Sequence, residues 1–235
     1  MTKRSARIDV PEPRFARIAA AIGDPTRARM LSVLLAGDSL PAGEIAAAVD
    51  VAPPTASAHL ARLVDQGLVT LMARGRHRYF RLADAEVAQA LEALSLVAER
   101  TGPAHIWARE GYKPLKYART CYRHLAGELG VRLLESMVER GHLASGANGY
   151  EVTPPGRGWI DSLALERPLP DPSPVRCGYP CLDWSERRDH LAGPLATALL
   201  DHFLAQRWLA RIERSRALKV TPLGARVLLP MLETR

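Results

Sequence analysis

The stretch Ile45–Leu82 constrains this chain more than any other. An alanine-rich apolar helix, about Pro41 to Val49, runs into Asp50-Val51-Ala52-Pro53; a second helix starts at Pro54 and stops at Gly67. The two prolines force a sharp break: the first pushes its predecessor out of the helical region, and the second is pre-set for a first helical turn. In the second helix Ala56, Leu60, Leu63 and Val64 recur at helical spacing and define a core face. Thr55, Ser57, Ala58 and Arg62 occupy the opposite face, and Gly67 is the expected left-handed cap. Two short strands follow, Leu68–Met72 and Arg78–Leu82, joined by Ala73-Arg74-Gly75-Arg76-His77.

Helix, turn, helix and basic hairpin is the order of a winged helix-turn-helix. Small and polar groups near the start of the second helix suit contact with base edges and phosphates in a major groove. A charge cluster such as Arg74, Arg76, His77 and Arg78 is in isolation a solvated turn. Directly after a recognition-type helix it is better read as a phosphate-contacting wing. His59 fits either a helix-face filler or a phosphate donor. The candidate DNA-binding residues are therefore Thr55, Ser57, Ala58, His59, Arg62, Arg74, Arg76, His77 and Arg78.

Phe15–Leu96 resembles the ArsR/SmtB family of bacterial repressors. The resemblance rests on Ile22-Gly23-Asp24-Pro25-Thr26-Arg27 opening a helix, Ser57-x-His59-Leu60 in the recognition helix, Leu63-x-x-x-Gly67-Leu68-Val69 ending it, and the Gly75-Arg76 wing. It covers about a third of the chain. It implies a homodimer that binds an inverted repeat in double-stranded DNA and releases it when an effector binds. Pro53 and Pro54 replace the polar residues more usual at the start of that recognition helix, which leaves the operator sequence open. Neither of two familiar metal sites of the family carries over. The helix before the recognition helix, Glu44–Val49, has no cysteine, and Asp84 and Glu86 have no histidine partner in the last helix of the domain.

The remaining organisation follows the chain. Met1 to Glu12 reads as a disordered lead without the apolar run of a secretory signal. Residues 13–101 form the DNA-binding and dimerisation domain. In it Asp24 caps a helix beginning at Pro25 and ending at Gly37, and Asp84 caps a helix reaching about Arg100. The latter carries a narrow stripe of Val87, Leu91, Leu94 and Ala98, which either packs on its own domain or pairs with a mate. Residues 102–118, interrupted by Gly102-Pro103, Gly111 and Pro114, read as a linker.

Residues 119–235 contain an internal repeat. His124-Leu125-Ala126-Gly127 recurs as His190-Leu191-Ala192-Gly193, and Val152-Thr153-Pro154 as Val220-Thr221-Pro222. Each copy reads as a long helix, a two-stranded hairpin and a short helix (Gly156–Leu165 and Leu223–Leu232). Arg167–Trp184 is an irregular proline-rich crossover, and Ser185 caps the second long helix. The fold class is mainly α with small β (α+β). A helix followed by a hairpin could be a degenerate second DNA-binding module. The neutral tip Ala144–Gly149 beside the basic tip Arg211–Arg216 favours an effector-sensing domain instead.

The three cysteines, an odd number with no export signal, argue against a disulfide scaffold. Cys177-x-x-x-Cys181 has a spacing allowed for a zinc half-site, and Cys121 and His124, at i and i+3 of the predicted helix, could complete four ligands. Arg176, Arg119 and Arg123 are suitable neighbours for a redox-active thiolate. Thiols that are inert or line a pocket, a redox switch and a metal site all remain open; no cofactor is required, zinc being the one conceivable. The aromatics of this half, among them Tyr117, Trp159, Trp184 and Trp208, line an effector pocket or fill the core. No phosphate loop, HExxH motif, nucleophile elbow or acid–base pair points to an enzyme.

With 235 residues, 47% of them apolar, the chain can bury two modest cores. A net charge of +7 and a pI near 9.7 suit a polyanionic partner. No apolar run is long enough to cross a membrane, and the cytoplasm is the expected location. The alternative is a nucleic-acid-associated scaffold without regulatory function whose repeat domain binds a protein partner.

Overall fold

The structure, a computed structural model, describes residues 15–75, 77–101, 112–146, 149–165, 177–213 and 215–233, with His77, Thr101 and Tyr112 as backbone. The predicted lead, residues 102–111 of the linker, Arg76 and residues 167–176 of the crossover lie outside the described residues. Among the described residues no helix is long and apolar enough to cross a membrane.

Four helices and a small sheet come first: α1 (Phe15–Ile22), α2 (Pro25–Leu34), β1 (Leu40–Pro41), α3 (Ala42–Val49), α4 (Pro53–Asp65), β2 (Val69–Arg74) and β3 (His77–Leu82). The long helix α5 (Ala85–Thr101) closes this half. Local chemistry accounts for the boundaries. Asp24 accepts from the backbone of Thr26 and Arg27, Asp84 from Val87, and Asp50 ends α3 in the left-handed region at φ 56°. Gly67 (φ 70°) follows α4 as predicted, and the Leu68 N–H reaches back to the Leu63 carbonyl. Met30, Leu34, Ile45, Ala56, Leu60, Leu63 and Leu82 meet in one buried cluster.

Helix limits shift slightly, with α4 starting at Pro53 instead of Pro54 and α2 ending at Leu34 instead of Gly37, and two larger details differ from the sequence reading. Pro41 belongs to β1, where Leu40 and Pro41 pair with Phe80 and Tyr79, so the sheet has three strands in the order β1-β3-β2. The wing is also longer than predicted, since Arg74 pairs with His77 and leaves a two-residue turn instead of five linking residues.

After α6 (Tyr112–Tyr117), which occupies the end of the predicted linker, the repeat begins. Copy one is β4 (Arg119–Cys121), β5 (His124–Ala126), α7 (Glu128–Glu139), β6 (Leu143–Gly146), β7 (Gly149–Val152) and α8 (Pro154–Ser162). Copy two is β8 (Tyr179–Leu182), β9 (Asp189–Ala192), α9 (Pro194–Ala205), β10 (Leu209–Arg211), β11 (Leu218–Val220) and α10 (Pro222–Met231). The repeat is therefore present, but the helix-plus-hairpin unit is incomplete: each copy opens with an additional hairpin. His124-Leu125-Ala126 and its counterpart are strands, and their helices start only after Gly127 (φ 82°) and Gly193 (φ 98°). Ser185 caps no helix. It sits in the β8–β9 connection, and Tyr179–Leu182 of the predicted irregular crossover is a strand.

The helix of each copy packs on the first hairpin of the other, α7 on β9 and α9 on β5. Equivalent positions such as Leu125/Leu191, Leu129/Leu195, Leu133/Leu199 and Met137/Phe203 merge into one shared core. Trp159 and Trp208 are part of this packing rather than a pocket lining. Thr153 and Thr221 cap α8 and α10 through the amides of Gly156 and Gly224, both at 3.0 Å. A Cβ at either glycine would collide with a backbone carbonyl, that of His142 or Trp208. Gly156→Ala and Gly224→Ala should each cost about 1–3 kcal/mol, as overpacking does. A denaturant series that finds either substitution neutral would refute this close approach.

Candidate functional site

Among the described residues two constellations carry chemistry. The first is the exposed face of α4 with the β2–β3 arm. Thr55, Ser57, Ala58 and Arg62 all point to solvent while Ala56, Leu60 and Leu63 are buried behind them. The Ser57 hydroxyl donates to the Pro53 carbonyl (3.0 Å), which satisfies it when no nucleic acid is bound. Arg74 and Arg78 are exposed on the arm, with Arg76 outside the described residues and His77 described as backbone only. His59 is half-buried, its Nδ1 3.7 Å from Asp24 and 3.5 Å from Arg27, so it ties α4 to the start of α2. Arg27 is itself buried and donates to the carbonyls of Ala20 and Ala21, clamping α1.

The basic tip of the last hairpin forms no second arm of this kind. Arg211 pairs with Asp38 at 2.9 Å, and the buried Arg216 donates to Glu92 of α5.

The second constellation lies between the two first hairpins of the repeat, against α5. Cys121 pairs across the strands with His124, and Cys181 with His190. One ligand atom from each of these four side chains lies within 4.8 Å of the other three. His124 Nε2 stands 3.1 Å from His190 Nε2. The predicted i, i+3 helical pair is thus a cross-strand pair, and the predicted CxxxC half-site does not form. Cys177 lies outside the group, and its thiol donates to the Tyr150 carbonyl at 2.8 Å. His190 takes its place, 66 residues from His124 (190 − 124 = 66); in the sequence reading it is the repeat equivalent of His124 but not among the candidate metal ligands.

Asp183 is the hub behind the cluster. Its Oδ2 lies 3.1 Å from His190 Nδ1 and 2.9 Å from Arg119, and accepts from the Gly127 amide at 2.7 Å. Its Oδ1 accepts from the Ser185 amide and hydroxyl. Burial alone would raise the Asp183 carboxyl, but His190 and Arg119 hold it well below the ordinary carboxylate range. Burial would likewise lower His190; contact with Asp183 and Cys121 prevails and raises it to about 9. The Cys121 thiol is pushed up to about 12 by its hydrogen bond with Cys181 and by burial, and burial raises Cys177 too. Arginine neighbours therefore do not make either one the lowered-pKa thiolate a redox switch needs.

The network continues into the other half. Arg119 is fully buried, stacked on Trp184 with 4.4 Å from guanidinium to ring centre, and its Nη2 lies 3.9 Å from Glu92. The two-residue turn Tyr122-Arg123 between β4 and β5 has both residues left-handed, at φ 39° and 73°. It docks on the end of α2, where the Tyr122 amide donates to the Leu35 carbonyl at 2.7 Å. Two strained non-glycine residues persist only where the surroundings impose them, and here the neighbouring half supplies that constraint.

Comparison with known proteins settles the family. Residues 22–71 match the model of a helix-turn-helix domain family. Over 212 residues the chain is 37% identical to the HTH-type transcriptional regulator YdfF of Bacillus subtilis, covering 90% of this chain and 94% of the relative. The chain belongs to this family of helix-turn-helix transcriptional regulators. It is also 39% identical over 83 residues to the regulator CmtR of Mycobacterium tuberculosis, across 35% of this chain and 70% of CmtR. A solved fragment of a possible transcriptional regulatory protein of Mycobacterium bovis matches 37% of this chain and 91% of its own length at 32% identity, with a TM-score of 0.35. The likeness to CmtR extends over 83 residues only, whereas that to YdfF, over 212, takes in the repeat as well. The chain is accordingly a DNA-binding transcriptional regulator with a winged helix-turn-helix in its first half.

Proposed function

We propose that this regulator is a cytoplasmic repressor that binds an inverted repeat as a homodimer and is released by a signal received in residues 119–235. In this reading Thr55, Ser57, Ala58, His59 and Arg62 meet the major groove, and Arg74, Arg76, His77 and Arg78 hold phosphates beside it. The observation that carries the regulatory part is the buried charge network Asp183–Arg119–Glu92–Arg216, which joins the repeat to α5. A change among the residues around Asp183 acts on a helix of the DNA-binding half through groups that cannot relax into water. Dimerisation is supported by apolar surface on α1 and α5, where Phe15 keeps 70% and Leu94 49% of its surface exposed.

Fluorescence anisotropy on the DNA upstream of the protein's own gene tests the proposal. A two-fold symmetric site there should bind at least about 10³-fold more tightly than random duplex of equal length. Equal affinity for both would reduce the protein to a non-regulatory DNA-associated factor.

A further inference from the structure

We propose that Cys121, His124, Cys181 and His190 form a tetrahedral site for one zinc-class divalent ion, which staples the two copies of the repeat together next to α5. Directly opposed residues of an antiparallel pair project to the same face with Cβ atoms about 5 Å apart, so a cross-strand Cys–His pair is a ready chelating unit. Each copy supplies one such pair, Cys121/His124 and Cys181/His190, and the shared core holds the two hairpins face to face. The loops inside the pairs differ greatly, two residues between β4 and β5 against six between β8 and β9. The same two residue types nonetheless occupy opposed positions in both. Packing alone gives no reason for that duplication, since aliphatic residues would fill these positions at no desolvation cost.

The geometry suits the ion. Two imidazole nitrogens bound to zinc at about 2.05 Å in a tetrahedron stand roughly 3.3 Å apart, and the two Nε2 atoms are 3.1 Å apart. Asp183 on Nδ1 of His190 is the carboxylate that orients a metal-bound histidine. The adjoining cavity, lined by Ala88, Gln89 and Tyr179 with Cys121, His124 and Cys181 of the cluster, measures about 10 Å³. That is about one small occupant, whereas organic effectors need roughly 300 Å³ or more. Charge also balances. Arg119 and Arg216 offset Glu92 and Asp183, and a divalent ion offsets two thiolates, so occupancy leaves no net buried charge. The half-buried Cys181 marks the side from which the ion enters.

On the regulator reading, this ion is the signal: it pins His190 against Asp183, and Asp183 holds Arg119, which faces Glu92 of α5. The site itself does not depend on that reading, and the experiment separates the two. Full-length reduced protein, stripped with a chelator and kept anaerobic, is titrated with Co²⁺. One equivalent per chain should produce the visible ligand-field bands and near-ultraviolet thiolate charge-transfer band of tetrahedral cobalt, and one equivalent of Zn²⁺ should bleach them. Cys181→Ser and His124→Asn should weaken or abolish the spectrum with circular dichroism unchanged, and Cys177→Ser should leave it intact. No cobalt spectrum in folded wild-type protein, or a spectrum that survives Cys181→Ser and vanishes with Cys177→Ser, would overturn the site. With Zn²⁺ present, operator affinity should fall at least about fivefold in the wild type and not in Cys181→Ser. Metal uptake with unchanged operator affinity would overturn the signalling role alone.

Discussion

Glu92→Leu should destabilise the protein by about 3–5 kcal/mol, because it leaves Arg216 buried and without its carboxylate partner. Glu92 is 2% exposed and stands between Arg216 and Arg119, with the first at hydrogen-bond distance. Adding Arg216→Met should restore much of the loss, since removing both charges also removes the desolvation penalty. Urea unfolding of the two single variants and the double variant gives the coupling directly. A loss under about 1 kcal/mol for Glu92→Leu would mean that water reaches this interface and that the network is not a rigid link. The same carboxylate sets an acid limit. Burial would raise its pKa, but Arg216 and Arg119 prevail and hold it below the ordinary 4.5. A depressed folded pKa contributes stability that is complete above that ordinary value and drains away as pH falls below it. Wild type should therefore lose this increment below about pH 4.5, and the double variant should not.

Removing Arg74, Arg76 and Arg78 together should weaken binding to every duplex alike and flatten its salt dependence. Each phosphate contact contributes about 0.9 to the slope of log affinity against log salt, so three should remove about 2.7 per chain. Arg62→Ala, on the exposed face of α4, should instead cost about 1–3 kcal/mol on some sequences and little on others, as a base contact does. The measurement is a salt series of anisotropy titrations on an operator and on a random duplex. A loss confined to the operator for the triple variant would reassign the arm from phosphates to bases. An unchanged slope would return Arg74–Arg78 to a solvated turn.

These two results probe opposite ends of one path. On the proposed reading the arm and α4 meet DNA; α5 closes the same half, and Glu92 on α5 is held by arginines of the repeat. Tyr122 adds a second connection at the end of α2, so the hairpin that presents Cys121 and His124 touches the DNA-binding half at two places. Gly37 faces Arg123 there with no room for a side chain. A shift of this hairpin cannot occur without moving one of these contacts.

The DNA-binding half is legible from the residues alone, because its signals are short-range. Asp24, Asp84 and Gly67 act within four residues of the helix ends they terminate, Pro53-Pro54 acts on its immediate neighbours, and the buried face of α4 follows from period alone. The repeat was legible as recurrence, and its shared caps Thr153 and Thr221 are local too. Its first hairpins were not legible. His-Leu-Ala-Gly is equally good as helix or strand over so few residues, and what makes it a strand is pairing with Arg119–Cys121 and packing on the other copy's helix.

The cluster is assembled by long-range packing. Spacing grouped Cys177 with Cys181, yet β8 begins between them, and the Cys177 thiol turns to the Tyr150 carbonyl while Cys181 faces the ligand group. His190 joined by strand register and the pseudo-symmetry of two hairpins, not by distance along the chain. Glu92, Arg119 and Arg216 look like ordinary surface charges in the sequence. They become a buried network because the two halves close over them, and that closure depends on long-range packing.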